Sequence, residues 1–282
     1  MTLSPGDYYA EAEKRMRDIS TDNIDKKYCD AAELFNKAGN SFSKVRNFTR
    51  AGDSFRRAVD CMLHIGKFEK VAVYAADAGR NYIKTADGEE KSFEAFNIAL
   101  KAYNDMNKNV LADKLANEAA KIYEQSKKYD KAIFYHQQFA KSNKEQSKTQ
   151  EYLRERKTIC NILTSIKRWN EASCEYNELF IELSNDDLEK NALEYGVRSV
   201  LCLLAKPDIS ASRSLMDKYN SLNKSWEKSK ESNFLNELIM LIVAKHYSCI
   251  STKGNDFGEE HGYDASFGKI ISAISDAYLD NK

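Results

Sequence analysis

Four histidines and six cysteines are the residues of this chain best able to do chemistry. The histidines are His64, His136, His246 and His261, and the cysteines are Cys29, Cys61, Cys160, Cys174, Cys202 and Cys249. A thiol beside an imidazole could act as a nucleophile, and three or four such ligands could hold zinc. The spacing gives neither chemistry a local frame. The nearest two cysteines, Cys160 and Cys174, lie 14 residues apart, so there is no Cys-x-x-Cys unit, and no histidine sits in a His-Glu-x-x-His run. Gly-x-Ser-x-Gly, P-loop and Gly-x-Gly-x-x-Gly patterns are missing too. The cysteines read as free thiols of a reducing compartment. A Cys–His pair assembled only by folding stays open, because such groups need closeness in space rather than in sequence. The stretch Gly254–Gly262 is glycine-rich, but Asp256, Glu259 and Glu260 would repel a phosphate. It reads as an acidic loop. The expectation is a protein that is not an enzyme and holds no cofactor or metal.

Charge points to partners instead. The chain has 43 basic and 43 acidic side chains, so its formal net charge is zero. That argues against general nucleic-acid binding. The distribution is uneven. Lys141–Arg168 carries eight basic residues (Lys141, Lys144, Lys148, Arg154, Arg156, Lys157, Lys167, Arg168) against three acids, or +5, and Gly254–Lys282 carries six acids against two lysines, or −4. One-sign segments are commonly solvated faces; two of opposite sign at separate places suggest two different partners.

The elements that would position these charges are helices. Only two prolines, Pro5 and Pro207, and 11 glycines occur in 282 residues, too few turn residues for a β-sandwich or barrel. Ala31, Leu34, Phe35, Ala38, Phe42 and Val45 make one apolar stripe at helical spacing,. The stripe repeats from Phe48 to Met62 and from Phe68 to Tyr82. Each helix opens after a similar phrase, seen at Arg46-Asn47-Phe48, Gly66-Lys67-Phe68, Lys108-Asn109-Val110, Lys128-Tyr129-Asp130 and Arg168-Trp169-Asn170. The unit is about 20 residues, and a pair about 40. A small residue followed by an aromatic recurs at Ala38-Gly39…Phe42, Ala51-Gly52…Phe55, Ala78-Gly79…Tyr82 and Ala119-Ala120…Tyr123. Small residues let helices approach closely, and aromatics fill the adjoining holes. The fold class expected is all-α: a tetratricopeptide-like solenoid of helical hairpins over residues 1–180, then a C-terminal helical bundle with an acidic loop and tail over 181–282. Within the bundle, a helix should begin at Pro207-Asp208, another should carry Leu235–Val243, and a short one, Phe267–Leu279, should close the chain. No uncharged run exceeds nine residues, so no membrane span is expected. The opening Met-Thr-Leu-Ser-Pro-Gly-Asp lacks the basic and apolar regions of a signal peptide.

The segment Ala31-Ala-Glu-Leu-Phe-Asn-Lys-Ala-Gly-Asn-Ser-Phe, continuing through Arg46-Asn-Phe-Thr-Arg-Ala-Gly-Asp-Ser-Phe-Arg-Arg-Ala, resembles the soluble N-ethylmaleimide-sensitive-factor (NSF) attachment proteins, the SNAP family. So do Tyr74-Ala-Ala-Asp-Ala-Gly-Arg-Asn-Tyr-Ile-Lys, Ala99-Leu-Lys-Ala-Tyr-Asn-Asp-Met and Tyr129-Asp-Lys-Ala-Ile-Phe-Tyr-His. The likeness runs from about residue 28 to 180, nearest to the alpha/beta branch. It implies a cytoplasmic adaptor, attached peripherally to membranes through SNAREs. Several copies would wrap a SNARE four-helix bundle, a syntaxin-like helix and its partners, and recruit the hexameric AAA ATPase NSF. By position the resemblance assigns SNARE contact to Lys84, Lys108, Lys114, Arg154 and, more weakly, Arg46. Family chains end in an acidic tail with a leucine next to last; here Leu279 stands fourth from the end, flanked by Asp276 and Asp280, and Glu259 and Glu260 are further candidates for the ATPase. The family's apolar membrane loop is replaced by Asp18–Tyr28, with only Ile19, Ile24 and Tyr28 available. That is too little apolar area for firm insertion. A tetratricopeptide-like scaffold for an unrelated peptide or protein client is the alternative.

Overall fold

The computed structural model describes residues 3–18, 23–184 and 189–279, which form fourteen α-helices and no strand. The chain divides into two compact units, Met1–Ser142 and Asn143–Lys282. The division expected at residue 180 concerned where the helix-opening phrase fades, and it remains a proposal about the repeat.

The first unit contains α1 (Pro5–Arg17), α2 (Ile24–Lys44), α3 (Phe48–His64), α4 (Phe68–Tyr82), α5 (Glu89–Asp105), α6 (Asn109–Gln125) and most of α7 (Tyr129–Glu145). Four of its turns share one geometry. Arg46, Gly66, Asn107 and Lys127 all take φ near +60°. After α2, the amide of Asn47 donates to the carbonyl of Phe42, and that of Arg46 to Ser43. The same two bonds recur after α3, α5 and α6, closing each helix in a Schellman turn,. The next helix begins two residues past each left-handed residue, so the phrase read from sequence marks the start of a helix that follows such an exit directly. The α4–α5 connection, residues 83–88, is longer and has no left-handed residue. Lysine sits poorly at φ +57°, where a side chain costs about 1–2 kcal/mol, partly offset by the entropy a glycine would lose. Lys127→Gly is therefore expected to stabilise the unit by about 0.5–1 kcal/mol, seen as a higher urea midpoint.

The partnership of small residue and aromatic is made between helices. A Cβ on Gly39 would meet the Phe55 ring at 2.9 Å, one on Gly52 the Tyr82 ring at 2.5 Å, and one on Gly79 the Phe96 ring at 3.0 Å. Each glycine thus receives an aromatic from the following helix. Polar pairs then join each helix to the one two places away. Arg56 meets Glu94 at 3.0 Å, Lys70 meets Glu33 at 3.5 Å, Arg80 meets Glu118 at 2.6 Å and Lys131 meets Glu90 at 3.1 Å. The sequence separations are 38, 37, 38 and 41 residues. These are the 40-residue hairpin period written in charge. Exposed pairs contribute only about 0–1 kcal/mol each, so the rungs set register more than stability.

The second unit holds α8 (Thr149–Ser165), α9 (Trp169–Ser184), α10 (Glu189–Leu204), α11 (Ile209–Leu222), α12 (Lys230–Val243), α13 (Ser248–His261) and α14 (Ala265–Leu279). Asp208 caps α11 through its side chain, as the Pro207-Asp208 break led us to expect. Trp226 is fully buried against Phe180 and Tyr219, at ring distances of 5.4 and 5.0 Å. Leu235, Leu238, Ile239 and Ile242 are buried in α12, while Met240 and Val243 face outward.

The acidic loop expected at Gly254–Gly262 is a helix. α13 runs through it to His261, and only Gly262 takes a left-handed conformation, at φ +67°. Gly254 and Gly258 are buried. A Cβ on Gly254 would collide with Ile271, and one on Gly258 would come within 3.0 Å of Phe267. These glycines allow α13 and α14 to cross closely, and so are not turn residues.

Candidate partner-binding surfaces

Within the first unit, short turns alternate the helix directions. The turns after α2, α4 and α6 therefore lie at one end of the stack, and those after α3 and α5 at the other. Arg46 is exposed at the left-handed turn between α2 and α3. Lys84 is exposed in the 83–88 connection, with its ammonium 5.0 Å from the Phe48 ring centroid. The fold brings these two together at the first end. Lys108 stands at the opposite end, before α6, where its ammonium donates to Glu69 at 2.8 Å. That hydrogen bond and charge hold the Glu69 carboxyl below its ordinary range. Lys114, six residues further, is exposed on α6.

Arg154 lies in the second unit on α8, 67% exposed, with Glu155 at 3.5 Å. Most of the basic charge around it is answered internally. Lys144 donates to Glu182 at 2.6 Å, Arg156 pairs with Glu175 and Glu178, Arg168 with Glu171, and Lys157 reaches Asp264 at 2.9 Å. The +5 of Lys141–Arg168 is in large part the other half of carboxylates on α9, α10 and the α13–α14 turn.

The ATPase candidates fall at two ends of one hairpin. Leu279 is 42% exposed at the end of α14, and Asp276 is exposed one turn before it. Asp280 lies outside the described residues. Glu259 and Glu260 are exposed at the end of α13, Glu260 being 3.3 Å from Lys230. The Tyr247 ring, before α13, lies tilted 5.8 Å from that of Tyr278, as an antiparallel crossing requires. The fifteen residues of α14 separate the two groups by about 22 Å at 1.5 Å per residue.

For the membrane candidates, Ile24 is 58% exposed at the start of α2, and the Tyr28 ring packs 4.1 Å from His64. Ile19 lies outside the described residues. No described helix is long and apolar enough to cross a membrane. Burial pushes the Cys61 thiol up to about 11, and the Cys160 and Cys202 thiols up as well. Such thiols are protonated at neutral pH and are poor nucleophiles. Among the described residues, no group of three His, Cys, Asp or Glu could hold a metal.

Two features escaped the sequence reading. The first is Arg198, fully buried in the second unit. Its guanidinium donates to Glu194 at 3.0 Å, to Ser266 at 2.6 Å and to Asp264 at 3.1 Å, and lies over the rings of Tyr263 and Phe267. Nothing local marks an arginine that will pair with residues 66 and 68 positions away. The second is the run Leu34–Gly52, which holds Lys37, Lys44, Arg46 and Arg50 and no acid. Counting charge over that window would have found it.

Comparison with known proteins gives this geometry its relatives. The family model described as "Soluble NSF attachment protein, SNAP" matches residues 4–266. An alpha-soluble NSF attachment protein from Vitis vinifera is 24% identical over 217 residues, covering 75% of this chain and 73% of its own. A beta-soluble NSF attachment protein from Bos taurus is 25% identical, with 74% and 70% covered. The vesicular-fusion protein SEC17 of Komagataella phaffii is 22% identical over 263 residues, covering 89% and 86%. With helical hairpins in the first unit and a family match spanning nearly the whole length, the chain belongs to the soluble NSF attachment protein family.

Proposed function

We propose that this protein is an adaptor that grips assembled SNARE four-helix bundles and presents them to the hexameric ATPase NSF for disassembly in vesicle fusion and trafficking. It hydrolyses nothing itself. The observation that carries this reading is the family match over residues 4–266. Exposed cations at Arg46, Lys84, Lys114 and Arg154 support it, because long-range attraction to an acidic rod needs exposed charge and tolerates varied partners. Lys108 contributes less, since Glu69 already engages it. Leu279, with Asp276 and Asp280, is assigned the contact to the ATPase, and Glu259 with Glu260 a second contact at the other end of the hairpin. Ile19, Ile24 and Tyr28 add little membrane affinity, so the protein works at the cytoplasmic face through its SNAREs.

The test is binding of the full chain to a reconstituted SNARE bundle at low and high salt. Lys114→Glu with Arg154→Glu is expected to weaken binding about tenfold at low salt and less at high salt, given up to about 1 kcal/mol per exposed pair and its reversal. Lys108→Glu should change it less. A chain that ignores the bundle at low salt, yet holds an unrelated peptide, would be the scaffold instead.

A further inference from the structure

A cavity of about 340 Å³ opens between α1, α2 and α3, lined by Gly6, Tyr9, Ala10, Phe42, Arg50 and Asp53. Its size is that of the smaller ligand pockets, which run from about 300 to 1,000 Å³. Two small residues one turn apart on α1, Gly6 and Ala10, leave the room. Packing does not require the glycine: a Cβ on Gly6 would find only Ser4 Oγ, at 3.9 Å. Phe42 is buried, and Tyr9 is partly buried with its ring edge-on to Phe35 at 5.1 Å.

The wall formed by α3 carries one charge of each sign. Arg50 and Asp53 lie three residues apart, a spacing at which such a pair ordinarily attracts. Here each is drawn elsewhere. The Arg50 guanidinium lies 5.7 Å from the Phe42 ring centroid. Asp53 Oδ1 accepts from the Tyr82 hydroxyl at 2.8 Å and has Lys91 at 4.0 Å. Among the described residues, no ion pair within 4.0 Å joins Arg50 to Asp53 or to another carboxylate, and no donor bonds to Asp53 Oδ2. A guanidinium and a carboxylate oxygen without partners therefore share one small cavity that is part polar and part aromatic.

A lone anion drawn to Arg50 would face Asp53, and a lone cation drawn to Asp53 would face Arg50, so the cavity suits neither by itself. A molecule that carries both charges satisfies both groups. We propose that the cavity binds a free α-amino acid with a large apolar side chain. Its carboxylate pairs with the Arg50 guanidinium and its ammonium with Asp53 Oδ2, while its side chain fills the space bounded by Phe42, Tyr9, Gly6 and Ala10. The proposal is independent of the adaptor reading and holds whether or not the chain grips SNAREs.

The test is saturation-transfer NMR on the full chain with L-phenylalanine as the probe, its affinity taken from a titration. Binding at about 1 mM is expected, since the contacts are few and the site stays open to water. N-acetyl-L-phenylalanine lacks the ammonium and L-phenylalaninamide lacks the carboxylate; each should bind about tenfold more weakly. Arg50→Gln should abolish the preference over the amide, and Asp53→Asn the preference over the acetyl compound, while the asparagine keeps an acceptor for Tyr82. Gly6→Leu should fill the cavity and weaken binding of L-phenylalanine about tenfold, with circular dichroism showing the helices intact. If Gly6→Leu fails to fold, the matched comparison of charge variants with analogues decides alone. Absence of saturation transfer at about 10 mM, equal binding of all three compounds, or a folded Gly6→Leu chain that binds as the wild type does would each overturn the proposal.

Discussion

Arg198→Ala is expected to destabilise the Asn143–Lys282 unit by about 3 kcal/mol, the low end for breaking a buried ion pair, because Glu194 and Asp264 keep contact with water and with Lys157,. The side chain is fully buried, and its three nitrogens donate to Glu194, Ser266 and Asp264. Truncation leaves Glu194 and Asp264 to Lys157 alone among nearby cations and opens a void beside Tyr263 and Phe267. Urea unfolding measures the loss. Arg198→Met restores volume but not charge, and Arg198→Met with Asp264→Asn should recover part of it, because a buried pair can be replaced more cheaply than broken. An Arg198→Ala protein as stable as the wild type would show that the cluster holds nothing.

The same cluster makes stability fall in acid. Burial alone would raise the Asp264 carboxyl, but hydrogen bonds from Ser266 and Lys157, with the charges of Arg198 and Lys157, hold it well below the usual carboxylate range. Its folded value therefore lies under the unfolded value of about 3.9. The stabilisation is complete above that value and disappears as pH falls from about 4 toward the folded value. Asp264→Asn should flatten the acid limb of the stability profile, while leaving Lys157 and Arg198 less well held at neutral pH.

Gly52→Val is expected to cost the first unit about 3 kcal/mol, the upper range for an overpacked core. Even the first added carbon would stand 2.5 Å from the Tyr82 ring. That ring cannot step back, because it is buried and its hydroxyl is tied to Asp53. A better helix propensity returns less than about 1 kcal/mol. If Tyr82→Leu is added, the second substitution should restore part of the loss; additive costs would mean that the glycine and the ring do not share a site.

The helices were legible because their signals are local. Phe48, Phe68, Asn109, Tyr129 and Trp169 each begin a helix, just where a repeated phrase places a start, since the phrase begins at or one residue after the left-handed exit of the helix before. Glycine was legible only where its neighbours spoke for it. Gly39 and Gly52 sit in strong apolar stripes and read as packing residues. Gly254 and Gly258 sit among acids and read as loop, because the partners that need their closeness, Ile271 and Phe267, come from the next helix. The charges were least legible. Lys108 reads as a free cation until Glu69, 39 residues away, is seen beside it, and a basic run cannot disclose that its counterions come from elsewhere. Arg46 and Lys84 were named separately, and only the fold makes them neighbours.

The rungs that tie each helix to the second one along also limit how such a gene could change. A single residue deleted from the middle of α4 would swing the remainder of that helix through about 100°, carrying Arg80 away from Glu118 and Tyr82 away from Gly52 in one stroke. Lengths within the stack are therefore locked to one another, and the smallest change that leaves every rung matched is gain or loss of an entire hairpin.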